Sequence, residues 1–205
     1  MRRAVALGVA VLAAAAGVFL LLLAVDVHRW QSRIAADDVA FRTEPRRNDL
    51  WSPPQLFPGV ARGLLGVRDD VHSREALRIF KLGQTRKLFY LAGPQLIAYR
   101  SAAQALLTRN IDQDTNRGRR AQALNLLGVL ELIAVGGGDP QTRQRYLPRA
   151  AENFRNAILL DERNEDAKFN LELTLRLLEK QRTSGGAQSG LGGTTARGEE
   201  TGSGY

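Results

Sequence analysis

The chain contains no cysteine, and its 205 residues include only two histidines, one methionine and two tryptophans. Without thiols there is no disulfide framework, no thiolate metal site and no cysteine nucleophile. His28 and His72 stand far apart, and neither lies in a catalytic or metal-binding motif. Nucleophile elbow, Walker loop, zinc-helix motif and dinucleotide fingerprint are all absent. These absences predict a protein that is not an enzyme and carries neither cofactor nor metal.

Lysine is scarce as well: Lys81, Lys87, Lys168 and Lys180 are the only ones, so the net charge of +8 is carried by arginine. The arginines are scattered among acids and are not interleaved with aromatics, which argues against a nucleic-acid partner despite the high pI. Asp112, Asp114 and Asn116 alternate as calcium-loop ligands do. The glycine, however, comes at the seventh position, and Ala123 stands at the twelfth, where a bidentate acid is required. An ordinary polar loop between helices is the expectation there.

What the chain does have is one long apolar run. Arg2 and Arg3 precede an uncharged stretch from Ala4 to Val25. At 1.5 Å per residue that stretch is about 33 Å long, enough for a hydrocarbon core of about 30 Å. It exceeds the apolar region of a cleaved signal and lacks a clear small-x-small cleavage site, so an uncleaved anchor is expected. The amino-terminal arginines favour a cytoplasmic amino end, opposed only by Arg29 and Arg33 on the other flank. The expectation is a single-pass protein of the cell membrane whose C-terminal domain is extracytoplasmic. His28 and Trp30 follow the anchor at once and read as interfacial residues.

A helix can continue from Arg33 to Phe41. Pro45, Pro53, Pro54 and Pro58 then impose extended or turn backbone on 44–59. Leu50, Trp51, Leu56 and Phe57 within it are either packed onto the helical domain or exposed as a docking peptide; packing is the default. Beyond it, Asp69 and Asp70 read as a cap and favourable charge for a helix carrying Leu77, Phe80, Leu88 and Leu91. Gly93-Pro94 restarts the chain as a helix with Tyr99, Ala102, Ala103 and Leu106 on one face. A further helix from about Arg119 to Val135 ends at Gly136-Gly137-Gly138. Asp139-Pro140 starts the next, with a kink or restart expected at Pro148.

The last ordered stretch is the most regular. Ala150, Phe154, Ala157 and Ile158 share one helix face, and Ala167, Leu171, Leu175 and Leu178 share another. Asn164 between them is placed to cap the second helix, with Glu165 and Asp166 in its first turn. A turn this short makes the two helices antiparallel. Residues 183–205 hold eight glycines with Ser and Thr, and read as a flexible tail. The expected organisation is an anchor over 1–25, a juxtamembrane and Pro-rich linker over 26–59, a helical domain over 60–182 and the tail over 183–205.

The stretch from Ala121 to Leu178 resembles the tetratricopeptide repeat. Ala150, Phe154 and Ala157 sit at that family's A-x3-F-x2-A spacing, and Leu160-Asp161 stands where it has Leu-Asp before Pro, with Glu162 in place of the proline. Ala167, Phe169, Asn170 and Leu171 match the opening of a following repeat, with Glu172 in place of the glycine. Leu127-Gly128 resembles the Leu-Gly of the preceding first helix, at a spacing about ten residues too long. The resemblance implies a repeat-like domain of helical hairpins, so the expected fold is all-α: a single transmembrane helix, that domain and a disordered tail. It also implies a concave surface for an extended peptide or a partner helix, lined by Asn125, Lys168, Asn170 and Thr174. An alternative occupant of that groove is the chain's own segment around Trp51 to Phe57.

More distantly, the anchor, the basic helical domain and the terminal hairpin resemble small bacterial membrane proteins that accompany MoxR-type ATPases and von Willebrand A domain proteins. That resemblance implies a scaffolding role beside von Willebrand A domain partners. The expected function is a membrane-anchored adaptor for protein-protein interaction on the extracytoplasmic face. The alternative is a non-catalytic structural subunit of a larger membrane complex.

Overall fold

A computed structural model describes residues 2–84, 93–136 and 139–189, without the side chains of 4, 5 and 184–189. Among the described residues every regular element is helical: α1 (Arg2–Thr43), α2 (Val60–Leu64), α3 (Arg68–Gln84), α4 (Gly93–Gln113), α5 (Arg117–Gly136), α6 (Pro140–Leu160) and α7 (Glu165–Ser189). The all-α expectation therefore holds. Leu88 and Leu91, most of the glycine run and the tail beyond 189 lie outside the described residues. The helices fall into two compact units, Met1–Ala123 and Leu124–Tyr205, with the division inside α5.

In the first unit, α1 is long and apolar enough to cross a membrane, and its apolar side chains from Leu7 to Leu22 are exposed. The helix does not stop with the apolar run; it continues to Thr43. Leu23, Asp26, Trp30 and Asp37 are buried along it at spacings of three, four and seven, the signature of one helix face covered by other chain. What covers them is the Pro-rich segment together with α2, which turn back along α1. Leu50 and Trp51 are packed and Phe57 is half-buried, whereas Leu56 is exposed; the surface that receives the segment is α1 together with α3.

The hydrogen bonds explain how a proline-rich stretch is held. Prolines offer no N–H, so the remaining donors of the segment must find acceptors one by one. The N–H of Trp51 donates to Asp37 Oδ2 at 2.7 Å, and those of Leu56 and Phe57 donate to Asp26 at 2.8 Å. The Trp51 indole donates to Asp38 Oδ1 at 2.9 Å, and Arg33 joins Asp37 to Asp49. Trp51 takes φ 54°, a left-handed conformation unfavourable for a bulky residue, and two carboxylates fix it there. Its ring meets that of Phe41 in a tilted contact, with centroids 5.4 Å apart.

Two expectations are corrected in this unit. Trp30 is only 1% exposed; Ala61 of α2, Val27, Ile34 and Phe57 enclose it, so it is a core residue and no headgroup anchor. Asp69 and Asp70 lie within the first turn of α3 rather than capping it, where the macrodipole still favours them. Further on, α3 and α4 form an antiparallel pair. Arg100 lies against Gly83, to whose carbonyl its Nε donates at 3.2 Å, and His72 faces Arg109 and Asn110.

In the second unit, α6 and α7 pack antiparallel as expected, with Asn164 Oδ1 accepting the Ala167 N–H at 3.0 Å. Asp139 caps α6 through the Thr142 N–H at 2.8 Å, and Pro140 takes the first helical position. Of the kink or restart expected at Pro148, the restart does not occur: α6 passes through Pro148 as one helix, with Leu147, Ala150 and Ala151 buried on its flanks. The face α7 turns inward also differs: Thr174 is buried and Leu175 exposed, the reverse of a stripe through Leu175. The helix runs on to Ser189, into the stretch read as tail. Each added residue of a formed helix gains a hydrogen bond without a new nucleus, and the Thr183 hydroxyl donates back to the Lys180 carbonyl at 3.0 Å.

Phe154 is fully buried, and Gly128 of α5 makes room for it. A Cβ on Gly128 would meet Phe154 Cε1 at 2.6 Å and Cζ at 2.8 Å. Gly128→Ala sets an overpacking cost of about 1–3 kcal/mol against a helix-propensity gain of about 1 kcal/mol. We expect a net loss of up to about 2 kcal/mol by denaturant unfolding. In a Phe154→Leu background the clash is gone, and the same substitution should become neutral or stabilising.

Candidate functional site

Helices α5 and α7 bring three of the four candidate partner-binding residues together. Asn170 Nδ2 donates to Asn125 Oδ1 at 2.9 Å, and the Thr174 hydroxyl donates to the Asn170 carbonyl at 2.7 Å. Asn125 and Thr174 are buried and Asn170 is half-buried, so the amide of Asn170 is the group a ligand can reach. Lys168 stands apart. Two residues along a helix is a rotation of about 200°, which turns Lys168 to the solvent, where its Nζ pairs with Glu165 at 2.8 Å.

Nearly two turns further along α5, a second polar group enters the same unit. Glu131 is buried, accepts from Asn153 Nδ2 at 2.9 Å and pairs with Arg149 Nε at 3.1 Å. Burial raises its carboxyl above the ordinary glutamate range, and the Asn153 bond and the Arg149 charge only partly oppose this. Between α6 and α7 lies a cleft of about 460 Å³ lined by Pro148, Ala151, Arg155, Leu175, Leu178 and Arg182. Glu179 also lines it, so three of its seven lining residues are charged.

Sequence reading missed the other exposed face of α7. Phe169, Leu173 and Leu177 are 67%, 42% and 38% exposed and lie at i, i+4 and i+8. This is a partly exposed apolar stripe, with Phe169 its most open member, beside the amide of Asn170. The signal was present as a second period-four series in α7, masked by the inward series through Ala167 and Leu171.

The first unit carries a different arrangement, an alternation of charges. Arg74 donates to Asp38 through Nε at 2.8 Å and Nη2 at 3.0 Å and also pairs with Asp70. Arg119 lies 4.0 Å from Asp70 and holds Asp114 through Nε at 2.7 Å. Burial alone would raise the Asp114 carboxyl, but the Arg119 fork and the Asn116 N–H outweigh it and hold it low. The same bonds make residues 114–116 the polar helix connection expected. Phe41, Trp51 and Leu77 complete a cleft of about 400 Å³ around these charges. Asp38, Asp70, Arg74 and Arg119 in it are joined in ion pairs. Among the described residues, no three acidic or histidine side chains converge as metal ligands would.

The amide pair and the buried acid each generate a test. Asn170→Ala leaves Asn125 Oδ1 buried without its donor, which costs about 1–3 kcal/mol. Asn125→Ala should cost a similar amount, and the double substitution should fall short of the sum by about 1 kcal/mol or more in a denaturant cycle. Additivity would show that the pair is not coupled. For Glu131 the folded state holds its proton more tightly than the unfolded chain. Its contribution is fully present below the unfolded pKa and is lost as pH rises through the raised folded value. Thermal melts of Glu131→Gln between about pH 4 and about pH 8 should therefore fall less steeply with pH than those of the parent. An unchanged slope would place the titration elsewhere.

Comparison with family models, with curated protein sequences and with solved structures finds no match to this chain.

Proposed function

We propose that the protein is a membrane-tethered helical adaptor that holds a protein partner against its C-terminal helices. The observation that carries this reading is the partly exposed stripe of Phe169, Leu173 and Leu177 on the last helix. The stripe runs along an outer side of α7 that otherwise carries the exposed Lys168, Glu172 and Arg176, so it is an apolar line between charged positions. An amphipathic helix of the partner laid along the stripe would cover it, with the Asn170 amide at its edge fixing the register. The tetratricopeptide-like spacing of Ala150, Phe154, Ala157 and Asn170 supports the same use of the hairpin. A von Willebrand A domain protein is the partner implied by the more distant resemblance, and the arginines at the amino end favour placing the domain outside the cytoplasm.

A second reading is a permanent, non-catalytic subunit of a membrane complex. The absence of charge within the stripe itself favours it, since obligate interfaces are the more apolar ones. The two readings differ in whether the partner comes off.

Photo-activatable residues at positions 169 and 173, in the full chain in its native membrane, should yield one heterologous adduct that a probe at Arg176 does not give. Leu177→Glu should reduce the adduct about tenfold or more, because the new carboxylate would be buried without a partner. A partner that dissociates on dilution in mild detergent fits the adaptor, and one that co-purifies at fixed stoichiometry fits the subunit. Adducts only between copies of the chain, or equal yields from all three probes, would remove the stripe as a partner site.

A further inference from the structure

The apolar surface of the first unit does not end with α1. Leu56, Val60 and Leu64 are 48%, 42% and 66% exposed, follow one another at intervals of four, and belong to the end of the Pro-rich segment and to α2. Phe57 between them rests its ring on Phe19 of α1, centroids 5.0 Å apart. Phe19 lies seven residues before Asp26, which at helical rise is about 10 Å deeper along the apolar run than the carboxylate. Phe19 and Leu22 are themselves exposed beside it, so the surface of α2 is continuous with that of the apolar helix.

We infer that Leu56 to Leu64 forms a foot that lies in the lipid leaflet at the C-terminal end of the apolar helix, with bilayer hydrocarbon covering Leu56, Val60 and Leu64. The inference rests on α1 crossing the membrane. Four features fit a lipid surface. The patch adjoins a helix whose own apolar side chains have no protein cover. Arg29 is exposed, and Arg62 of α2 lies 5.9 Å from the Trp30 ring centroid; arginines at such a level reach headgroup phosphates while their stems cover apolar surface. Trp30 is withdrawn beneath Ala61, which leaves the boundary position of a span to α2. Finally, Asp26 would be expensive at the edge of hydrocarbon, and the foot meets that demand: its two backbone N–H groups occupy the carboxylate, and Arg29 approaches it to 3.8 Å. A five-residue helix does not bind a bilayer unaided; Asp26 latches it there.

The absence of native cysteine allows a direct depth measurement. Val18→Cys, Asn48→Cys, Val60→Cys and Leu64→Cys are each spin-labelled in the full chain, reconstituted into vesicles of phosphatidylcholine with phosphatidylglycerol. Accessibility to oxygen and to a water-soluble nickel chelate is then compared. Labels at 60 and 64 should resemble Val18 in excluding nickel and admitting oxygen, whereas Asn48 should be open to nickel. Adding Asp26→Ala should raise nickel accessibility at 64 several-fold and leave position 18 unchanged, and Asp26→Asn, which keeps an acceptor, should have a smaller effect. If 64 behaves like 48 while 18 stays in lipid, the foot is wrong and the spanning helix stands. If 18 is open to nickel, the spanning reading itself falls. If Asp26→Ala leaves 64 in lipid, the latch is overturned.

Discussion

The first unit depends on a row of carboxylates along one helix. Asp26, Asp37 and Asp38 give α1 acceptors at two levels, and the returning segment has few donors because of its prolines. Donors and acceptors therefore match in one register only. That register sets the left-handed turn at Trp51, lays Phe57 against Phe19 and closes Ala61 over Trp30. From there it determines α3, because Asp38 also binds Arg74, and the Arg47 carbonyl accepts from Arg78 Nη1 at 3.1 Å. A buried carboxylate that receives backbone N–H groups is worth more for uniqueness than for energy: shifting the segment by one residue would leave the acid and the amides unpaired together.

The second unit obeys a constraint of volume instead. Gly128, Ala150, Ala151, Ala157 and Ala167 leave the space that Phe154 fills, so the helices approach closely around one aromatic ring. Two polar pairs enter that core, Asn125 with Asn170 and Glu131 with Asn153, and the buried Thr174 donates to the Asn170 carbonyl. Such pairing selects one alignment of α5 against α6 and α7, since a helical rotation would break both pairs at once.

Much of this was legible in the residues. The apolar run, the caps at Asp139 and Asn164, and the Ala150–Phe154–Ala157 face all depend on neighbours within one or two turns, and local pattern reports these. The row of aspartates was not legible, because the donors for Asp26 and Asp37 lie 14 to 31 residues downstream and no periodicity links them. Trp30 misled for a related reason. Beside an apolar run a tryptophan reads as interfacial, and only the return of α2 shows it to be covered. Of the candidate site, Asn125 and Asn170 could be found through the repeat-like spacing, but their mutual bond could not, and Lys168 shares a helix with them without sharing a face. The Phe169–Leu173–Leu177 stripe was readable in spacing alone and was hidden by the stronger inward series.

The stripe and the tether make sense only together. Fully burying three such side chains is worth about 5–9 kcal/mol, and their partial exposure leaves roughly half of that to gain. Association in solution loses at least about 4 kcal/mol of translational and rotational freedom, so the stripe alone supports no more than weak binding between free proteins. A partner confined to the same membrane has already lost much of that freedom, and its effective concentration rises into the range where a weak contact is occupied. Under the adaptor reading, the long apolar helix thus supplies affinity as well as location. A modest stripe then has a consequence of its own: contacts of this strength form and release, and a chain that binds through them can pass a partner on without any change in its fold.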